Sequence, residues 1–231
     1  MTKKGGGKRI TDWIRIFRKC DKYERVLDYT ERLYWGTDVQ LCPLRGDLFR
    51  AYELLPPQKV RVVIVGQDPA HTLNSKKLPR ADGVAFSSND DGMPWLVTTN
   101  RIIETIHNCG QGLIFDTQCL DQWAAQGVLL INMTPISRLG YAHVYGGIGW
   151  QAVTIKTLSV LSLLARPMVF MLWGAEAHQA YWHIRKGPTK RVLYAAHPRH
   201  PKNEFVKCSN FVECNRFLTA HGEEPIDWNL Y

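Results

Sequence analysis

The sequence predicts an α/β protein, a three-layer sandwich with a central four-stranded parallel sheet flanked by helices. Four short, nearly continuous apolar runs rich in Val, Ile and Leu have the length of strands buried on both faces. The segments between them carry apolar residues at helical spacing, and strand followed by helix, repeated, builds a parallel sheet with helices over it. The 231 residues hold no repeat and no low-complexity tract beyond Gly5 to Gly7, which fits one compact unit.

Residues 1–10, Met-Thr-Lys-Lys-Gly-Gly-Gly-Lys-Arg-Ile, are basic and glycine-rich and read as a flexible arm, with a single domain over residues 11–231. The arm leads into Thr11-Asp-Trp-Ile-Arg rather than an apolar stretch, so it does not read as a secretory signal. Strands are predicted at 60–65, 127–132, 168–173 and 191–196. Helices are predicted at 48–55, 98–109, 118–126, 150–165, 175–184 and 208–221. Proline and glycine fall in the short connectors between these elements.

Composition narrows the partners. Lys and Arg number 29 against 21 Asp and Glu, a net +8 with a pI near 9.2, so the surface attracts polyanions. Nucleic acid is the leading partner and an anionic membrane face the second. No run of eighteen apolar residues occurs, so no membrane-spanning helix is expected. A chain this long buries roughly 70% of its unfolded surface in one core and needs neither disulfides nor a structural metal to fold. The six cysteines lack Cys-x-x-Cys spacing, which suits a reducing, intracellular compartment. His178 and His183 lie five apart rather than on one helical face, and Cys208 and Cys214 with His197 and His200 fit no common zinc pattern. No metal is expected.

Ligands of open parallel sheets bind outside the carboxyl ends of the strands. After the first strand comes Gly66-Gln-Asp-Pro-Ala-His71; the second ends on Asn132; the third is followed by Gly174-Ala-Glu, the fourth by His197-Pro-Arg-His-Pro201. A carboxylate, an amide and an imidazole therefore meet at one edge. Taken singly each has a plainer reading: Asp68 as a turn or cap residue, Asn132 as a strand-end residue, His197-Pro198 as a structural turn.

Their order and spacing resemble the uracil-DNA glycosylases of the main, highly uracil-selective type. The likeness runs from about Pro43 to Tyr231. It is carried by Gly66-Gln-Asp-Pro-Ala-His71, Ala81-Asp-Gly-Val-Ala-Phe-Ser87, Trp123-Ala-Ala-Gln-Gly-Val-Leu-Leu-Ile-Asn132, Gly149-Trp150, Leu172-Trp-Gly174, His197-Pro198 and Pro225-Ile-Asp-Trp228. The resemblance implies hydrolysis of the bond joining a pyrimidine base to deoxyribose in double- or single-stranded DNA. It implies a base swung out of the stack, no cofactor, and a monomer working at DNA inside the cell. It also allows a protein inhibitor or a replication factor as partner.

By that resemblance Asp68 positions the attacking water, and His197 donates a hydrogen bond to the base O2, where charge develops as the base departs. Asn132 reads the base edge, donating to O4 and accepting from N3–H, a pattern cytosine inverts. The base stacks on Phe86, and Gln67 lends a backbone contact. His71, Pro94, Gly174, Ala175 and Pro198 fall where the family grips DNA.

Three departures from the family pattern stand out. Ala70 replaces a tyrosine that fills the space beside C5, so thymine or a 5-substituted uracil is expected to enter; Thr72 to Arg80, about five residues longer than usual, could supply a substitute. The segment His197-Pro-Arg-His-Pro-Lys202 has no leucine to insert into the gap left by the base, and Arg199 or His200 is expected to fill it. Gly174-Ala175 lacks a serine hydroxyl, leaving backbone N–H groups at a helix start, and Asp82 stands in place of a histidine, adding negative charge near the channel. The competing reading is a DNA-binding or replication-accessory protein that keeps the fold with weak or no activity. A small-molecule enzyme is disfavoured because no glycine-rich phosphate loop occurs.

Overall fold

The computed structural model describes residues 6–36, 39–88 and 93–231. The chain enters as α1 (Gly6–Phe17) and α2 (Tyr23–Gly36), then forms the short β1 (Leu41–Cys42), α3 (Arg50–Leu54) and β2 (Val62–Gly66). There follow α4 (Val97–Asn108), α5 (Asp121–Ala125), β3 (Val128–Asn132), β4 (Ser137–Arg138), α6 (Trp150–Ser162), β5 (Met168–Trp173), α7 (Ala175–His178), β6 (Lys190–Ala195) and α8 (Asn210–Ala220).

The four predicted strands form one parallel sheet in the order β3-β2-β5-β6. All residues of β2 and β5 are buried, as expected of central strands covered on both faces. At the edge, β6 differs: Arg191 and Tyr194 are exposed while Leu193 and Ala195 are buried, since among the described strands it pairs with β5 alone. The chain runs from β2 to β3 on one side, then crosses back over β2 to β5 on the other. The crevice between diverging connections therefore opens at the carboxyl ends of the central strands.

Two helices were not expected. Residues 6–10, predicted as arm, continue into α1, while residues 1–5 lie outside the described residues. Helix α1 is held because Trp13 and Phe17, one turn apart, are wholly buried against Tyr52, with ring centroids 5.1 and 4.9 Å away. The Trp13 indole also donates to Leu55 O at 2.8 Å. Losing such an aromatic anchor costs about 3–5 kcal/mol. The predicted helix at 175–184 is one α turn followed by a 3-10 turn, Gln179–His183, since His178 caps the ends of β5 and β6 by contacting Leu172 O and Ala195 O.

The small β1–β4 ribbon pairs Leu41 with Arg138 and Cys42 with Ser137. It pins the segment after β3, whose Gly140 N–H then donates to His71 O at 2.8 Å. The tail returns to the core through Trp228, fully buried with its ring 5.2 Å from Trp123. No helix among the described residues is long and apolar enough to cross a membrane.

Candidate active site

A cavity of about 590 Å³ opens at the carboxyl edge of the sheet. Asp68, His197, Asn132, Phe86 and Ala70 line it, as do Gln67, His71, Pro94 and Arg199. Four predicted residues stay outside its lining: Gly174, Ala175, Pro198 and His200.

Asp68 sits half-buried in the turn that leaves β2, stiffened by the buried Pro69. Its Oδ2 accepts the backbone N–H of His143 at 2.6 Å, and its Oδ1 accepts the Gln67 amide at 3.1 Å. Both contacts leave lone pairs facing the cavity and fix the rotamer. His143 carries φ of 62°, and this left-handed turn aims its N–H at the carboxylate.

His197 follows β6. Its Nδ1 accepts the Arg199 backbone N–H at 3.1 Å, so the neutral ring carries its proton on Nε2 and presents a donor. Burial lowers the His197 pKa below the ordinary 6.5, with Arg199 pushing the same way and the Asp68 charge opposing. The ring is neutral at pH 7.

Asn132 ends β3 in register with Gly66. Its backbone O accepts the Thr154 hydroxyl, and its side-chain amide has no hydrogen-bond partner among the described residues. A Cβ on Gly66 would lie 2.6 Å from both Asn132 Oδ1 and Phe86 Cζ, so only glycine lets amide and ring close on the strand end.

Phe86 has φ of 66°, rare for a bulky residue and worth about 1–3 kcal/mol of strain. Its surroundings impose it. Asp82 accepts the Val84 N–H at 3.1 Å and the Ser87 hydroxyl at 2.7 Å; Ser87 Oγ accepts the Leu120 N–H at 3.2 Å; Thr99 donates to Phe86 O at 2.9 Å. The ring rests 5.1 Å from Trp173 and 6.3 Å from His197, centroid to centroid.

Some expectations change. Asp82 adds no charge to the channel: it is 1% exposed, and Arg50 Nη1 lies 3.2 Å from its Oδ2. Gly174 is buried, bonded to Ala195 O at 3.0 Å, and turns the chain into α7 with φ of 90°. Because α7 spans four residues, few dipoles stand behind the N–H groups near Ala175. Pro198 is buried, and His200 turns inward with Nδ1 sealed, whereas Arg199 is exposed at the cavity rim. The longer segment after His71 is a hairpin in which Leu73 pairs with Pro79 and Asn74 Oδ1 accepts the N–H groups of Lys76 and Leu78.

Sequence reasoning missed Gly66, His143, Arg80 and the Arg50–Asp82 pair. His143 acts through its main chain, which leaves no side-chain signature. Gly66 was visible only as a glycine at a strand end.

A parallel sheet whose carboxyl edge gathers a hydrogen-bonded carboxylate, an imidazole, an amide and an aromatic ring around one cavity is an α/β fold with its polar groups collected at the strand ends. Comparison with known proteins names the family: residues 52–219 match the model described as "Uracil DNA glycosylase superfamily", and the chain belongs to it. A uracil-DNA glycosylase of bovine herpesvirus 1.1 is 34% identical over 193 residues, covering 83% of this chain and 91% of that protein. The uracil-DNA glycosylase of Agathobacter rectalis is 35% identical over 213 residues, covering 90% of each. The mimivirus uracil-DNA glycosylase shares the fold with a TM-score of 0.86 at 21% identity, covering 97% of this chain and 87% of its own. A variant of the mimivirus protein, solved in complex with UGI, gives 0.85 at 23% identity, covering 95% and 88%.

Proposed function

We propose that this protein hydrolyses the N-glycosidic bond of uracil in DNA, with a pocket opened at C5 by Ala70. The reading rests on one observation above all: Asp68, Asn132, His197 and Phe86, from four separate stretches, border a single cavity. The nucleotide leaves the stack and enters it, with Phe86 beneath the base. Asn132 donates from its NH₂ to O4 and accepts N3–H with its carbonyl; cytosine, with the reverse pattern, is rejected.

As the N1–C1′ bond breaks, its electron pair departs with the base, and the Nε2–H of His197 stabilises the charge gathering on O2. The Asp68 carboxylate faces the cationic sugar and orients a water, whose oxygen bonds to C1′ while one of its protons passes by way of Asp68 to solvent and the departing base and the other stays on the new C1′ hydroxyl. One water is consumed, and the products are an abasic site and the free base. No metal or cofactor takes part.

The chain works as a monomer on DNA, drawn there by its +8 charge. Arg199, at the rim, fills the space the extruded base leaves. A protein inhibitor is a partner of the same site, in keeping with the UGI bound to the mimivirus variant.

Uracil and thymine share one hydrogen-bonding edge and differ by a methyl group, so only bulk beside C5 tells them apart. Ala70 offers none beyond its Cβ. Duplexes carrying uracil, thymine and 5-hydroxymethyluracil, with the released base identified by mass spectrometry, test this. Release from all three is expected. Strict uracil release would mean that Leu73, which also lines the cavity, fills the space. Tight DNA binding with no base released would return the accessory reading.

A further inference from the structure

We propose that Arg80 is a specificity-determining residue of the cavity, receiving pyrimidines whose C5 substituent carries acceptor oxygens, a carboxylate above all. This rests on the glycosylase reading and on the side opened by Ala70. Arg80 is only 7% exposed, yet it lines the cavity. Its Nε donates to Ser88 Oγ at 3.4 Å, and its Nη2 to Pro94 O at 2.7 Å and Gln118 Oε1 at 3.2 Å. All three acceptors are neutral, and no carboxylate among the described residues pairs with the guanidinium.

Burying a cation without an anion is costly, and neutral acceptors offset that only in part. Among the described residues, no anion neutralises that charge. Nη1 donates to no group among the described residues, and Arg80 lines the cavity together with Pro94, whose carbonyl holds Nη2. The position relative to Ala70 follows from the hairpin. Arg80 N–H donates to Thr72 O at 2.9 Å, two residues beyond Ala70, and Ala70, Thr72 and Arg80 share one wall.

A base seated on Phe86 with its polar edge at Asn132 turns C5 toward that wall. A methyl group there desolvates Nη1 and gives nothing back. A carboxylate accepts its N–H groups in a charge-assisted contact, which the planar guanidinium suits better than an ammonium does. The widened pocket thus prefers 5-carboxyuracil, then 5-formyl- and 5-hydroxymethyluracil, over thymine.

Single-turnover release from duplexes carrying uracil, thymine, 5-hydroxymethyluracil or 5-carboxyuracil decides it, compared among the wild-type chain, Arg80→Gln and Arg80→Lys. The wild type should release 5-carboxyuracil at least tenfold faster than thymine. The ratio of 5-carboxyuracil to uracil should fall at least tenfold in Arg80→Gln, with Arg80→Lys between. Taking the ratio within each protein cancels loss of folded enzyme and the intrinsic leaving ability of each base. An unchanged ratio in Arg80→Gln would overturn the proposal, leaving Arg80 as a brace for Pro94 or a contact to phosphate. Uracil release with none from 5-carboxyuracil would also overturn it while the glycosylase reading stands; no release from any duplex would take down both.

Discussion

The backbone N–H of Arg199 meets Nδ1 of His197 across 3.1 Å, and this contact decides which edge of the imidazole can donate. Protonating Nδ1 would set two donors against each other. Burial already holds the His197 pKa below 6.5, so the unfolded chain takes up the proton first as pH falls. Stability should decline from about pH 6.5 and level off beneath the folded-state pKa. In His197→Gln this part of the decline disappears. Urea midpoints at about pH 7.5 and 5.5 should therefore differ less in the variant than in the wild type, while its turnover drops roughly 10²- to 10³-fold.

Asp68→Asn keeps an acceptor for the His143 N–H but removes the charge facing the sugar and the base for the attacking water. Turnover should fall by about 10²-fold or more. Binding, measured by fluorescence anisotropy on the same duplex, should stay within about threefold and weaken steeply with salt in both proteins. Parallel loss of binding and turnover would contradict a purely chemical role.

The sheet was legible because central strands covered on both faces spell themselves as unbroken apolar runs. The carboxylate, amide and imidazole were legible because each ends or follows a strand, and parallel topology gathers strand ends. Helix α1 was hidden by its glycine- and lysine-rich start, although Ile10, Trp13, Ile14 and Phe17 recur at helical spacing. Asp82 was misread because its partner Arg50 lies 32 residues earlier, a pairing that only the folded chain creates. The left-handed backbone of Phe86 is likewise imposed by Asp82, Ser87 and Thr99 from outside, against its local preference.

Gly66→Ala should injure the site more than the fold. The new methyl group meets Phe86 and Asn132 at 2.6 Å, and both must yield. Overpacking of this kind costs about 1–3 kcal/mol, whereas a displacement near 1 Å costs catalysis about 10²-fold. Thermal melts with kcat/KM on uracil DNA should show a modest loss in the first and a severe one in the second. Gly46→Ala, where a Cβ meets nothing within 4 Å, serves as the control and should change neither.

Arg50→Ala leaves the buried Asp82 carboxylate without its cation, a change that typically costs about 3–5 kcal/mol. The same loss loosens the loop that holds Phe86 in its strained backbone, so activity should fall beyond what the unfolded fraction explains. Adding Asp82→Asn removes the stranded charge and should recover part of the stability. Denaturant titrations of both variants measure this, and equal stability of single and double variants would rule out the ion pair as the clamp.

Ala70→Tyr asks whether selectivity resides at this position. Pro69 fixes the turn on one side, and the hydrogen bond between His71 O and Gly140 N fixes it on the other, so the new ring has little freedom to swing away. It should occupy the space beside C5, where a methyl group competes for the same volume. Release of thymine and of every 5-substituted uracil should then fall by about tenfold or more, with uracil release changed less. If thymine release persists unaltered while uracil release drops, the ring blocks the base itself, and discrimination lies elsewhere in the cavity wall.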